Sequence, residues 1–274
     1  MVETLVVTEL DLGGHRLELG DLTHVMAVIN MSPESKNAFS VAGSPAEALE
    51  RARRFRDAGA TLIDLGGQSS HYDNPTISAD LELERLLPAV RLLVDDGFPV
   101  SIDTWKPAVA AACLAEGAVL VNDTGGLADP EMREAVVRAG AAAVVMYVEG
   151  ANPHDVGDVV ISANKAAITR RWMESRLESL ATEGISQTIV DPGIAINYRG
   201  DYQAYTRMQL EVIRDLDIIR TLGRPVLVPI PRKLEDHRVA AYITAALQSG
   251  ADMIRVHDVE MACDLAALFG RLPG

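Results

Sequence analysis

Eight short apolar runs in this chain end in residues that could bind a ligand. Aspartate and asparagine together suit a flat heterocycle, because a carboxylate accepts two parallel hydrogen bonds from a guanidine-like edge and an amide both donates and accepts. Lysine, arginine and histidine suit an anionic leaving group or a ring carbonyl. Any single position could instead be a loop cap or a paired core carboxylate, whereas the whole set favours a binding site. The eight ends are Asn30, Asp64, Asp103, Asn122 with Asp123, Met146, Asp191, Arg232 with Lys233, and Arg255 with His257.

The last seven of these ends follow one repeated pattern. A helix-like stretch leads to a glycine, and the glycine leads to a few apolar β-formers, as from Gly59 to Asp64 and from Gly250 to Asp258. Such a glycine is typical of a helix C-terminus that needs a positive φ. The run after it is short and apolar enough for a strand buried on both faces. The other five glycines are Gly97, Gly117, Gly140, Gly184 and Gly223.

With a first strand at residues 24–30, the pattern predicts eight strands that alternate with helices. The helices are predicted at 45–58, 79–94, 106–116, 129–139, 162–183, 202–221, 235–249 and 259–270. This alternation implies parallel strands and right-handed crossovers. We therefore predict an α/β fold, a (β/α)8 TIM barrel, in which the strand ends and the loops after them carry the chemistry. A doubly wound sheet is disfavoured by the strand count and by the lack of a glycine-rich dinucleotide fingerprint.

Residues 4–22 alternate polar and apolar side chains around Gly13 and Gly14, which predicts a β-hairpin. No linker or change of composition divides the chain. We predict a single domain over residues 1–274, with the N-terminal hairpin in residues 1–22 and the barrel in residues 23–274.

Composition argues against several classes of function. The 274 residues are 48% hydrophobic, and the net charge is −14 with a pI near 4.8. This acidity argues against nucleic-acid binding, which needs clustered lysine and arginine. The chain shows no apolar window of membrane-spanning length and no signal-like N-terminus. We expect a cytoplasmic protein with Cys113 and Cys263 as buried free thiols.

Seven motifs in order along the chain resemble those of the dihydropteroate synthase family, within the pterin-binding barrel superfamily. The resemblance extends from about residue 24 to residue 270. The motifs are NMSPES at 30–35, IDLGGQSS at 63–70, SIDT at 101–104, ND at 122–123, DPG at 191–193, RK at 232–233 and RVHD at 255–258.

The resemblance implies a reaction and a set of residues. The family joins a pyrophosphorylated hydroxymethyl-dihydropterin to p-aminobenzoate and releases pyrophosphate. Among the residues named here, Asn30 would bind Mg²⁺ and pyrophosphate, and Lys233, Arg255 and His257 would be catalytic. The family also implies a homodimer. The residues expected to bind substrate are Asn30, Ser70, His71, Asp103, Asn122, Met146, Asp191, Lys233, Arg255 and His257.

The chain departs from the family pattern mainly on the p-aminobenzoate side. Ser70 and His71 stand where the family usually has Thr-Arg, and Pro231 stands where it has a serine. The segment after Gly193 lacks the usual glycine-rich, lysine-containing sequence, although Arg199 could supply a cation there. The stretch between Lys233 and Arg255 is also short for the family.

Two functions therefore remain open from the sequence. The first is a dihydropteroate synthase with an altered p-aminobenzoate pocket and altered sulfonamide discrimination. The second is a pterin or folate binder without this activity, or a methyltetrahydrofolate-dependent domain that passes a methyl group to a corrinoid protein. The Asn30 loop, Lys233 and Arg255 with His257 favour the synthase, because they would serve pyrophosphate. His71 and Pro231 favour the binder.

Overall fold

The fold was examined in a computed structural model of the chain. It describes residues 7–35, 38–71, 73–158, 160–196, 200–231 and 236–274.

Eight parallel strands form the barrel, and a two-stranded antiparallel hairpin precedes them. Along the sheet each strand pairs with its neighbour in the chain, and the last strand lies between the first barrel strand and the seventh. A parallel bridge between Val190 and Val226 closes the ring. The (β/α)8 barrel with an N-terminal hairpin is therefore confirmed. The hairpin comprises β1 (Glu9–Leu12) and β2 (His15–Glu18); the barrel comprises β3 (His24–Asn30), β4 (Leu62–Gly66), β5 (Val100–Asp103), β6 (Leu120–Asp123), β7 (Ala142–Met146), β8 (Thr188–Asp191), β9 (Leu227–Pro229) and β10 (Met253–Val256).

Helices follow the barrel strands close to their predicted positions. Serine caps fix two of the starts, because the Ser44 hydroxyl accepts from the Glu47 N–H and the Ser78 hydroxyl accepts from the Leu81 N–H, both at 3.2 Å. The described helices are α1 (Pro45–Ala58), α2 (Ala79–Asp95), α3 (Pro107–Ala115), α4 (Pro130–Ala139), α5 (Lys165–Thr182), α6 (Tyr202–Arg214), α7 (Leu216–Arg220), α8 (Asp236–Gln248) and α9 (Val259–Leu268), with a 3-10 turn at Ala38–Ser40.

One predicted helix, 202–221, is two helices in the structure. Asp215 ends α6 and precedes α7 with φ −93° and ψ 24°. Aspartate is a poor residue for a helix interior, because its side chain offers the backbone competing hydrogen bonds.

The glycines that end the predicted helices have the expected conformation. Gly59 (φ 111°) and Gly140 (φ 63°) adopt the left-handed conformation after α1 and α4. The five other glycines of the repeat also have positive φ. The chain can therefore turn directly from each helix into the next buried strand.

The hairpin closes the N-terminal end of the barrel. Leu10, Leu12 and Leu17 pack with Leu62 and Leu120, which begin β4 and β6. The polar residues lie at the opposite end of the barrel, where the strands end. None of the described helices is long and apolar enough to cross a bilayer.

Truncating Leu12 to alanine should destabilise the protein by about 2–5 kcal/mol, because the side chain is fully buried and leaves a cavity. Urea unfolding monitored by circular dichroism measures the change. Leu268→Ala is the matched control, since Leu268 is 77% exposed. A loss for Leu12→Ala no larger than that of the control would contradict the role of the hairpin as a plug.

Candidate active site

A cavity of about 440 Å³, open to solvent, lies at the mouth of the barrel where the strands end. The strand register explains which residues meet there. Asp103 pairs with Asn122 across β5 and β6, and Met146 pairs with Asp191 across β7 and β8. Six of the expected substrate-binding residues line the cavity. Its walls are Ser70, Asp103, Asn122, Thr124, Met146, Pro153, Asp191, Ala195, Ile196, Pro229 and Arg255.

Arg255 is held between two carboxylates at the floor of this cavity. Its Nε donates to Asp64 Oδ2 at 2.6 Å, and its Nη2 donates to Asp103 Oδ2 at 2.5 Å. Although burial alone would lower the pKa of Arg255, these two carboxylates raise it above its ordinary value. The guanidinium is therefore a permanent positive charge with a fixed orientation.

Asp64 organises this floor, although the sequence assigned it no role beyond its place at a strand end. Its side chain is fully buried, its Oδ1 accepts from the Ser101 hydroxyl at 2.6 Å, and its Oδ2 accepts from Asn122 Nδ2 at 3.1 Å. A carboxylate this deeply buried needs such partners. Asp64 thus orients both Arg255 and Asn122.

The bond to Asp64 also decides what Asn122 offers to a ligand. Because an ionised carboxylate only accepts, the nitrogen of the Asn122 amide must face Asp64 and the oxygen Oδ1 is left for the cavity. Asp103 and Asp191 are acceptors as well. This side of the cavity therefore presents oxygen acceptors to an edge rich in N–H donors.

Burial shifts the ionisation of both cavity aspartates. It raises the pKa of Asp191 to about 7, although the Gly193 N–H and the charge of Arg255 both act to lower that pKa. Burial likewise raises the pKa of Asp103 to about 7; Arg255 opposes this, and the nearby Asp64 adds to it. Asp103 is in direct contact with Arg255, so Asp191 is the better candidate to hold a proton when no ligand is present.

Asp191 and Asp123 also shape the loops that follow their strands. Asp191 Oδ1 accepts from the Gly193 N–H at 2.7 Å. Gly193 has φ 70°, and a Cβ there would lie 1.9 Å from the Tyr147 carbonyl oxygen. Asp123 accepts from the backbone N–H groups of Gly125 and Leu127, so it caps a loop while its neighbour Asn122 lines the cavity.

Asn30 and His257 lie together, although neither is among the residues of the cavity wall. Ser40 joins them: its hydroxyl oxygen accepts from Asn30 Nδ2 at 2.7 Å and lies 3.1 Å from His257 Nδ1. This contact was not foreseen, because Ser40 belongs to a 3-10 turn rather than to a strand end. Within the described part of the chain, no group donates a hydrogen bond to Asn30 Oδ1.

His71 is buried and is also absent from the cavity wall. Its Nδ1 lies 3.2 Å from the Asp73 backbone nitrogen and 3.6 Å from the Asp73 carboxylate. His71 therefore contacts its own loop at this nitrogen, at the position where the family pattern has an arginine.

Three expected cations, Lys233, Arg232 and Arg199, lie outside the described residues. Among the residues that the structure does describe, no group of three or more histidine, cysteine, aspartate or glutamate side chains could hold a metal ion.

Comparison with known proteins assigns this chain to a family. The model of the pterin-binding enzymes matches residues 26–257. The chain is 29% identical to the dihydropteroate synthase of Synechocystis sp., over 92% of this chain and 90% of that protein. It is 30% identical to that of Bacillus subtilis, over 92% and 89%. The chain belongs to the pterin-binding enzyme family. The resemblance drawn from the seven motifs is thus confirmed.

Solved structures of pterin-binding enzymes share the fold. The Thermus thermophilus dihydropteroate synthase in complex with 4-aminobenzoate is 31% identical and superimposes with a TM-score of 0.79, over 97% of this chain and 100% of that one. The Xanthomonas albilineans enzyme in complex with 7,8-dihydropteroate is 26% identical with a TM-score of 0.76, over 96% and 98%.

The raised pKa of Asp191 predicts that this pterin-binding enzyme loses stability as pH rises. Between the ordinary aspartate pKa and about pH 7, the folded protein binds more protons than the unfolded chain, so the free energy of unfolding falls across that window. Asp191→Asn removes the ionisable group and keeps an oxygen for the Gly193 N–H. We expect its melting temperature to fall less steeply from pH 5 to pH 8 than that of the wild type.

Differential scanning calorimetry of the ligand-free proteins measures this slope. Asp215→Asn is the control, because Arg214 lowers the pKa of that surface carboxyl and its titration lies below the window. Equal slopes for the wild type and Asp191→Asn would mean that Asp191 is already ionised in the folded protein at pH 5.

Proposed function

We propose that this protein is a dihydropteroate synthase, which condenses 6-hydroxymethyl-7,8-dihydropterin pyrophosphate with p-aminobenzoate and releases pyrophosphate. One observation carries the proposal: Asp103, Asn122 and Asp191 meet at one cavity as oxygen acceptors, with the Arg255 guanidinium beside them. The similar enzymes of Thermus thermophilus and Xanthomonas albilineans were solved with 4-aminobenzoate and with 7,8-dihydropteroate, which supports both the substrate class and the product.

The acceptor side of the cavity suits the pterin ring. The amino group and ring N–H of a pterin form a donor edge that a carboxylate can accept through two parallel hydrogen bonds. Asp191 would take that edge, and Asn122 Oδ1 and Asp103 would accept from the remaining N–H groups. Met146 and Ile196 line the same cavity with apolar surface for the ring faces.

The reaction needs charge stabilisation more than a covalent nucleophile. Pyrophosphate leaves with the electrons of the C–O bond, and the positive charge is delocalised over the pterin. The p-aminobenzoate nitrogen then forms the C–N bond and loses a proton. Arg255 is fixed and charged near the end of β10, and His257 follows directly after that strand. Both would stabilise the leaving group, with Lys233 as the third cation.

The residues near Asn30 fit a role in holding Mg²⁺. Mg²⁺ is usually held by one or two protein oxygens together with substrate phosphates and waters. Asn30 offers one such oxygen, Oδ1, because its nitrogen is committed to Ser40. When bound with the pyrophosphate, Mg²⁺ neutralises part of the negative charge that develops on the leaving group.

The p-aminobenzoate side is where this protein should differ from its relatives. Ser70 lines the cavity, whereas the buried His71 contacts Asp73 in its own loop. We place the altered sulfonamide discrimination at His71 and at Pro231, which follows β9. The homodimer belongs to the same proposal and rests on the resemblance to the family, and the cytoplasmic location stays an expectation from the sequence.

Purified protein with Mg²⁺, the pterin pyrophosphate and p-aminobenzoate should form dihydropteroate, which chromatography detects.

Asp191→Asn should weaken pterin affinity by about 1.5–3 kcal/mol, roughly tenfold to over a hundredfold, because bonds to a charged acceptor are lost. Calorimetric titration with 6-hydroxymethylpterin measures this, with Asp215→Asn as the control. If the protein binds pterin but forms no dihydropteroate, the synthase proposal is rejected and a pterin-binding protein without this activity remains. If Asp191→Asn leaves the pterin affinity unchanged, the assignment of Asp191 to the pterin ring is rejected.

Asn30→Ala should raise the Mg²⁺ concentration for half-maximal activity about tenfold, equivalent to about 1.4 kcal/mol. The affinity for 6-hydroxymethylpterin, which has no phosphate, should be unchanged. Ser40→Ala keeps the Asn30 amide oxygen and removes the hydroxyl that contacts Asn30 and His257, so its shift in the Mg²⁺ concentration should be smaller. Loss of 6-hydroxymethylpterin affinity in Asn30→Ala would contradict a role confined to the pyrophosphate and its metal.

A further inference from the structure

His154 joins three loops across the mouth of the barrel. It lies in the fifth loop, residues 147–164, which connects β7 to α5. Its Nε2 lies 3.0 Å from the Ser69 carbonyl oxygen, and its Nδ1 lies 3.0 Å from the Thr76 hydroxyl, both in the second loop at residues 67–78. Its ring packs on Trp105 of the third loop, residues 104–106 between β5 and α3, with ring centroids 5.1 Å apart.

The chemistry of these partners fixes the direction of one bond. A carbonyl oxygen only accepts, so His154 Nε2 carries a proton and donates to Ser69. The Thr76 hydroxyl can donate to Nδ1 or accept from it. The connection is therefore compatible with either protonation state of the ring.

The residues next to both ends of this connection form the wall of the cavity. Pro153 precedes His154, is buried, and lines the cavity. Ser70 follows Ser69 and lines the same cavity. His154 makes two hydrogen bonds and one ring contact, and these contacts thus lie next in the chain to two wall residues, Pro153 and Ser70, from different loops.

Each loop has its own support on the far side of this contact. In the fifth loop, Val156 packs with Met146, Val148 and Ile196 in a small apolar cluster. The turn before it is shaped by the His154 N–H, which donates to Asn152 Oδ1 at 2.9 Å. The fifth loop therefore holds His154 in a turn that is fixed by hydrogen bonding and packing.

The second loop is supported independently by α2 and by its own side chains. Arg85 Nη1 donates to the Gly67 carbonyl and to Glu34 Oε1, both at 2.9 Å. Asn74 Nδ2 donates to the Ser69 hydroxyl at 2.7 Å. Among the hydrogen bonds of the described residues, those from His154 are the ones that tie this loop to the opposite side of the mouth.

We propose that His154 is a positioning residue: it fastens the fifth loop to the second, and so holds Pro153 and Ser70 in place as the wall between the ring site and the p-aminobenzoate side. The inference rests on the proposed function for the identity of the two ligands. Its consequence is slower escape of the pterin and a preformed surface for the second substrate.

The test begins on the ligand-free protein, so that it does not depend on the proposed reaction. His154→Phe keeps a ring against Trp105 and removes both hydrogen bonds. Amide exchange at residues 67–71 and 73–77 should become at least about tenfold faster, while exchange in the barrel strands stays the same. His154→Gln, whose amide can donate to the Ser69 carbonyl, should recover part of the protection.

The ligand readouts separate positioning from stability. In stopped-flow experiments on His154→Phe, 6-hydroxymethylpterin should dissociate about tenfold faster, equivalent to about 1.4 kcal/mol. The KM for p-aminobenzoate should rise severalfold, with kcat nearly unchanged. His15→Phe makes the same substitution in the hairpin at the other end of the barrel and should change none of these values.

Unchanged exchange and unchanged pterin dissociation in a folded His154→Phe protein would overturn the inference. If that variant does not fold, Thr76→Val serves instead: it removes one hydroxyl at the exposed rim and should raise exchange in the second loop by a smaller factor, with no change overturning the inference. Absence of dihydropteroate formation in the wild type would instead reject the proposed function, and the exchange result would stand.

Discussion

The site depends on one buried arrangement of charge: the Arg255 guanidinium between the carboxylates of Asp64 and Asp103. Burying any of these charges alone would be strongly unfavourable, and removing one partner leaves the others unpaired. The pairing therefore holds three strands, β4, β5 and β10, to a common geometry at the mouth. Asn122 is oriented by the same Asp64. The ring site is thus built from side chains that first satisfy one another.

In this arrangement the ligand-free protein loses some stability at a residue that faces the cavity. Asp191 faces the cavity with a raised pKa, because burial disfavours its charge and Arg255 is already engaged by other carboxylates. A ligand with N–H donors favours the ionised form and so returns the free energy that burial removed. Binding and stability are linked at this one carboxyl, because a ligand that favours the ionised form lowers the pKa of Asp191 in the complex.

Sequence reasoning succeeded where regular structure decides position. Parallel strands that all end at one rim bring Asp103, Asn122, Met146 and Asp191 together, whatever the loops do. The strand-end pattern placed Asn122 and Asp123 together, and only the family resemblance singled out Asn122, because which of two adjacent side chains enters the cavity depends on the local pleat and turn. Ser40, Pro153 and His154 were not assigned, since their contacts arise from loop conformation across large sequence separations.

The same division matches where the chain departs from the family pattern, because the departures lie in loops and not at the strand ends that line the cavity. At those strand ends a substitution would break buried pairs such as Arg255 with Asp64 and Asp103. The loops include local contacts, as between Asp73 and His71, that a substitution can change without breaking a strand. With a net charge of −14, the protein must attract an anionic ligand through a few local cations, and Arg255 is the cation in the described cavity wall. In the role proposed for His154, its hydrogen bonds to Ser69 and Thr76 would preserve the shape of this wall where two loops meet.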